Sequence, residues 1–249
     1  MSWLFRLFAF QILLLWSCRT VYVSDVEHLY YRLDTSYVHY SHAGTDSLIG
    51  PYKRILDMRM DSVIGELSED FIKAQPESRL GNWLGDLLRA GAEKATAEGI
   101  DFAILNYHGI RLPSLQKGPL SLGKIYELLP FDNAMVVVRL DSVLIMRLVE
   151  NMAAHGGWPC SSELRYVISD NGAREVTLHG EILHSGQTYR VVMPDFIADG
   201  GDGCEFLLQL PRENTGILLR DAVIDDIRRT TESGKLIDAR LDGRVRRIQ

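Results

Sequence analysis

Asp195-Phe196-Ile197-Ala198-Asp199-Gly200-Gly201-Asp202-Gly203 sets an aromatic ring ahead of a paired-glycine turn that delivers a carboxylate. Glycine tolerates positive φ and lets backbone come close to a ligand. A phenylalanine offers a flat face for stacking, and an aspartate accepts two hydrogen bonds from vicinal hydroxyls. Ring and acceptor together read as half of a nucleoside pocket. The same segment also fits a core phenylalanine beside an ordinary Gly/Asp turn, so its meaning depends on what stands upstream.

Three upstream segments carry related chemistry. Glu77-Ser78-Arg79-Leu80-Gly81-Asn82 stands at a helix start, where free backbone N–H groups favour an anion and Arg79 adds a permanent charge. Asn106-Tyr107-His108-Gly109-Ile110-Arg111 follows an apolar run and supplies an amide and a second guanidinium. Leu129-Pro130-Phe131-Asp132-Asn133 is a rigid turn that presents another ring. Arginines clamp phosphate through paired donors, and a base stacked on an aromatic ring gains about 1–3 kcal/mol.

Periodicity places these segments on a framework. Leu48, Ile49, Tyr52, Ile55 and Leu56 recur at helical spacing over residues 46–60. Ser78 caps a helix with Leu80, Trp83, Leu84, Leu87 and Leu88 on one face, ending at Gly99. Shorter helices are predicted from Ser121 to Pro130 and from Val143 to Ala154, and a last one from Leu219 to Thr231. Strands are predicted at 36–40, 63–67, 100–105, 135–140, 164–169, 175–179 and 189–193, with a terminal strand around Arg244, Arg246 and Arg247. This mixture makes one domain of class α+β, spanning residues 46–249.

In their order along the chain, the four segments resemble the C-terminal domain of the 5'-nucleotidase family, which includes ecto-5'-nucleotidases and periplasmic UDP-sugar hydrolases. The family motifs run Glu-Ser/Cys-x-Leu/Met-Gly-Asn, Asn-Gly-Gly-Gly-Ile-Arg, Pro-Phe-Gly-Asn/Gly and Phe-x-x-x-Gly-Gly-Asp-Gly. The resemblance covers residues 60–215 and implies a layered, mixed-sheet fold. It further implies that Phe131 and Phe196 sandwich a base and that Asp202 binds the ribose hydroxyls. Arg79 and Arg111 would hold phosphate, and Asn106 would touch base or phosphate. Tyr107 and His108 stand where the family has two glycines, and so would modify the pocket by narrowing it, turning outward or adding contacts.

Full-length members of that family hydrolyse phosphate esters with a separate N-terminal metallophosphatase domain, whose two metals sit on Asp-x-His and Gly-Asn-His-Asp/Glu motifs. Neither motif occurs here: the Gly81-Asn82 pair is followed by Trp83, and no aspartate stands two residues before a histidine. The expectation is therefore no metal or cofactor in this chain, with divalent metals in a separate metallophosphatase polypeptide. Three roles stay open: the recognition half of a split phosphohydrolase, a nucleoside- or nucleotide-binding module acting alone, and an independent hydrolase.

Composition narrows the setting. A net charge of −6 excludes a basic nucleic-acid-binding surface as the main theme, so no nucleic-acid polymer is expected as partner. Residues 1–18 read as a signal segment, with Arg6 ahead of an apolar run from Leu7 to Trp16 that is too short to span a bilayer. Leu15-Trp16-Ser17-Cys18 resembles a bacterial lipoprotein cleavage box, so Cys18 is the expected acylated residue. Residues 19–45 would then form a leader to a body tethered at the membrane in the bacterial cell envelope, periplasmic or surface-exposed. Cys160 and Cys204 remain, and such a compartment permits a bridge that sequence alone does not establish.

Overall fold

The computed structural model describes residues 43–248. The signal segment, Cys18 and the strand expected at 36–40 lie outside them. The chain divides into two compact units, Met1–Gly50 and Pro51–Gln249, and the second contains all four of the segments that resemble the family motifs. A first helix, α1 (Ala43–Met60), confirms the periodicity read over residues 46–60, and its Tyr52, Ile55 and Leu56 are exposed. Among the described residues, no helix is long and apolar enough to cross a membrane.

Four strands form the central mixed sheet: β3 (Phe102–Ala103), β6 (Ala134–Asp141), β10 (Thr188–Pro194) and β11 (Arg212–Leu218), in the order β11-β6-β10-β3. β10 runs antiparallel to β6 and parallel to β3, while β11 runs antiparallel to β6. Successive side chains of a strand face opposite sides, and here both sides are buried. Met135, Val137, Val192 and Ala103 enter one core cluster, and Val136, Val138, Val191 and Phe102 enter the other.

The first layer holds α2 (Arg79–Ala95), α3 (Leu122–Leu128) and α6 (Leu219–Glu232), with Leu80, Leu84 and Leu88 of α2 inaccessible to solvent. The second holds α4 (Ser142–Ala154) and a sheet of β7 (Leu164–Ser169), β8 (Gly172–Leu178), β9 (Glu181–Ile182) and β12 (Val245–Arg247), ordered β12-β7-β8-β9. Two small antiparallel pairs complete the body: β1 (Val63–Leu67) with β5 (Gly118–Ser121), and β2 (Phe71–Ile72) with β4 (Ser114–Leu115). The α+β, layered, mixed-sheet expectation holds.

Local chemistry sets the helix starts. The Ser78 hydroxyl accepts from the Gly81 N–H at 2.9 Å, and the Asp141 carboxylate accepts from the Leu144 N–H at 2.8 Å. Gly85 lets α2 lie against another segment, because a Cβ there would stand 2.4 Å from the Cys160 carbonyl oxygen. Gly85→Ala gains about 1 kcal/mol of helix propensity. The clash is with backbone that cannot swing aside, and overpacking of that kind costs about 1–3 kcal/mol. The expected result is a net loss of stability, read as a lower urea midpoint at unchanged slope; a raised midpoint would refute the close approach.

Cys160 and Cys204 are both free and buried. Burial pushes their thiols up, Cys160 to about 12 and Cys204 to about 11.

Candidate functional site

The parallel strands β3 and β10 both point their carboxyl ends at one edge of the central sheet. Beyond β3 the chain reaches Asn106 and a single turn of 3-10 helix, Tyr107–Gly109. Beyond β10 it enters α5 (Asp195–Ala198), which carries Phe196, and then the turn Gly201–Gly203, which carries Asp202. The segment between α3 and β6 adds Phe131 and Asn133 from the third side. These residues line one cleft of about 210 Å³ together with His108, Gly109 and Arg111. That is below the roughly 300–1,000 Å³ usual for small-molecule sites. A tight hollow of about 10 Å³ adjoins it and shares Asn106, Gly109, Phe131 and Asn133.

Phe131 is 48% exposed and Phe196 is 43% exposed, so neither ring is core packing. Both are large apolar faces left open beside convergent polar groups. Phe196 lies flat against Gly201, where a Cβ would stand 2.4 Å from the ring. The Arg111 guanidinium sits 5.7 Å from the Phe131 ring centroid, within cation–π range, and makes no ion pair among the described residues.

Asp202 adopts φ 51°, ψ 41°, a left-handed conformation flanked by glycines. That turn aims its carboxylate at Asn106, whose amide donates to Oδ2 at 2.7 Å. The Asn151 amide of α4 fixes the turn from behind by donating to the Asp202 carbonyl at 2.9 Å. Asn106 is itself buried, and Gly109 must stay small because a Cβ there would lie 2.6 Å from the Asn106 side-chain oxygen. One carboxylate oxygen of Asp202 therefore has a fixed partner inside the protein, and the Asn106–Asp202 pair forms a rigid polar edge to the cleft.

Two expectations from the sequence are modified. Arg79 is not brought to the cleft: it is the first residue of α2, and its guanidinium pairs with Glu69 and donates to the Ala239 carbonyl at 2.8 Å. The α2 start is not an open anion site either. Ser78 closes it, while the Glu77 carboxylate accepts from the Asn82 amide and the Asp242 and Gly243 N–H groups. The Glu77-to-Asn82 motif thus ties the C-terminal tail to α2. Tyr107 and His108 divide their roles. Tyr107 turns away and packs on the core, with the Lys73 ammonium 4.0 Å from its ring centroid, whereas His108 is exposed and lines the cleft.

Lys73 was not singled out by the sequence, because nothing in Ile72-Lys73-Ala74 marks it. Its ammonium donates to the Ile110 carbonyl at 2.7 Å, beside Arg111. Burial, and then the positive charge of Arg111, lower its pKa from the usual lysine value. No group of three or more His, Cys, Asp or Glu side chains among the described residues could hold a metal ion.

Comparison with known proteins agrees with this geometry. The family described as 5'-nucleotidase, C-terminal domain, matches residues 63–209. Protein UshA of Yersinia enterocolitica is 29% identical over 171 residues, covering 67% of this chain and 30% of that protein. Cell wall protein Lmo0130 of Listeria monocytogenes is 29% identical over 183 residues, covering 68% of this chain and 23% of that one. The chain therefore spans less than a third of the length of these relatives. The crystal structure of a 5'-nucleotidase precursor from Thermus thermophilus superposes with a TM-score of 0.71 at 30% identity, over 83% of this chain and 43% of that one. With the motifs, the layered fold and the family match in agreement over the same residues, this chain belongs to the 5'-nucleotidase C-terminal domain family.

Proposed function

We propose that this chain is the nucleoside- or nucleotide-recognition domain of a 5'-nucleotidase-type phosphohydrolase whose metal-bearing half is a separate polypeptide. The observation that carries the reading is the cleft itself, where two exposed phenylalanines, the Asn106–Asp202 pair and the uncommitted Arg111 converge. In this reading Phe131 and Phe196 stack on the base and Asp202 accepts from the ribose hydroxyls. Arg111 receives phosphate, with His108 at the rim. The apolar leader ending at Cys18, and a relative named as a cell wall protein, support a lipid-anchored place in the bacterial envelope.

Titration calorimetry with adenosine and AMP tests recognition, and mixing tests the division of labour. The chain alone is expected to bind and release no phosphate from AMP. Phosphate release is expected only after addition of a metallophosphatase partner that co-purifies with it. No heat with either ligand removes the recognition role. Binding without any partner or rate effect favours a module that captures nucleosides on its own, and phosphate release by the chain alone favours an independent hydrolase.

A further inference from the structure

We propose that Arg220 is the positioning residue of the cleft, holding the turn that presents Phe131. The inference rests on the nucleoside reading above. Arg220 is the second residue of α6, and its side chain is 9% exposed. One nitrogen donates to the carbonyls of Leu129 at 3.1 Å and Phe131 at 3.4 Å, and the other pairs with the Asp132 carboxylate. The guanidinium also stands 4.3 Å from the ring centroid of Tyr126, on the helix that leads into the turn. The neighbouring Leu219 N–H donates to the Asn133 carbonyl at 2.9 Å. The start of α6 thus grips residues 129–133 at four points, Leu129, Phe131, Asp132 and Asn133.

That grip matters because the turn has little else to fix it. Pro130, Phe131 and Asp132 do not share one buried face: Phe131 and Asp132 are exposed, so burial of their side chains does not select one conformation. A stacking platform that must first be ordered loses affinity by the cost of ordering it. Charge-assisted bonds to a planar fork supply direction as well as strength, and a lysine ammonium cannot reproduce the fork. Arg220 is not needed for stability to the same degree. Its Nε is buried without a hydrogen-bond partner, and Asp132 is 75% exposed and would rehydrate freely. Exchanging such a buried cation for an apolar side chain is often close to neutral for folding. Position and stability should therefore separate.

The test combines amide hydrogen exchange with adenosine titration in wild type, Arg220→Met, Arg220→Lys, Phe131→Ala and the Arg220→Met/Phe131→Ala double variant. In Arg220→Met, exchange at the Leu219 amide, which donates to the Asn133 carbonyl and so reports on the hold on the turn, should quicken about tenfold while the rest of the sheet keeps its protection. Its dissociation constant for adenosine should rise about three- to tenfold, and Arg220→Lys should recover part of both. If Arg220 acts through Phe131, the two substitutions are not additive, and Arg220→Met adds less than about twofold on the Phe131→Ala background. Unchanged exchange at the Leu219 amide, or an equal loss of affinity on both backgrounds, overturns the proposal. Should Arg220→Met not fold, Arg220→Lys and Asp132→Asn carry the same exchange test. A wild type that binds no adenosine, with a turn that loosens in Arg220→Met, overturns the nucleoside reading and leaves the hold on the turn standing.

Discussion

Phe196→Ala and Phe131→Ala are each expected to weaken adenosine binding by about 1–3 kcal/mol, which is about fivefold to 150-fold in dissociation constant. Stability should change little, because both rings are about half exposed and their removal opens no core cavity. The two losses should also differ in how they can be mimicked. Phe196 rests on Gly201, so Gly201→Ala pushes the ring out of place and should reproduce much of the Phe196→Ala loss with the phenylalanine still present. Phe131 has no such bed and depends on its turn. Calorimetry on the single variants and on Gly201→Ala decides the matter. Binding that is unchanged in both alanine variants would mean that the exposed rings serve another contact, and the cleft would lose its base-stacking role.

Much of this cleft could be read from the chain, and the reasons for the misses are physical. A helix from Arg79 and strands at 63–67 and 164–169 follow from apolar spacing that tertiary contacts reinforce. Phe131, Phe196 and Asp202 could be chosen only through the four segments taken together in their order, because a ring beside a Gly/Asp turn fits core packing as well. Arg79 could be placed at a helix start, but not aimed. A motif fixes spacing along the chain, whereas the direction of a long side chain depends on partners such as Glu69 and Ala239, which the motif does not contain. The same holds for Tyr107, whose turn away from the cleft brings it under Lys73.

Strand β11 went unseen because Arg212-Glu213-Asn214-Thr215-Gly216 is polar and lacks alternation; its place is set by pairing with β6 and by the Arg190–Glu213 contact at 2.6 Å. The strand read over 100–105 is shorter as a ladder: the Asp101 and Ile104 N–H groups bond β10 at Arg190 and Val192, but the Leu105 N–H leaves it for the Pro159 carbonyl. Non-local backbone pairing of this kind leaves no periodic signal.

Arg244→Met should be the most destabilising of these substitutions, and its effect should fall on the frame rather than on the cleft. The Arg244 side chain is 3% exposed and holds Asp86 at 2.7 Å, Asp242 at 2.9 Å and the Cys160 carbonyl at 2.9 Å. It thereby pins the chain before β12 to α2 and to the segment under Gly85. Removing one partner of a buried ion pair costs about 3–5 kcal/mol when the other is left buried. Here the carboxylates are 46% and 31% exposed and regain water, so a loss of about 2–3 kcal/mol is expected.

The acid limb supplies a second, independent reading of the same link. Burial by itself would raise the Asp242 carboxyl, but the hydrogen bonds and charge of Arg244, with Arg165 behind them, carry it below the usual value of 3.8. A carboxyl depressed in the folded state binds its proton more readily in the unfolded chain. Its contribution is therefore complete above the ordinary aspartate range and is lost as pH falls through the lower folded value. Urea unfolding followed by the buried Trp83 and Trp158 should show Asp242→Asn less stable than wild type by a constant margin from about pH 7 to pH 5. The margin should narrow below about pH 4 and should be much smaller throughout on the Arg244→Met background. A margin that persists unchanged into strong acid would show that Asp242 stabilises the tail through its shape and not its charge. In either case the folded fraction of Arg244→Met should bind adenosine as wild type does, because none of the cleft-lining side chains touches this link.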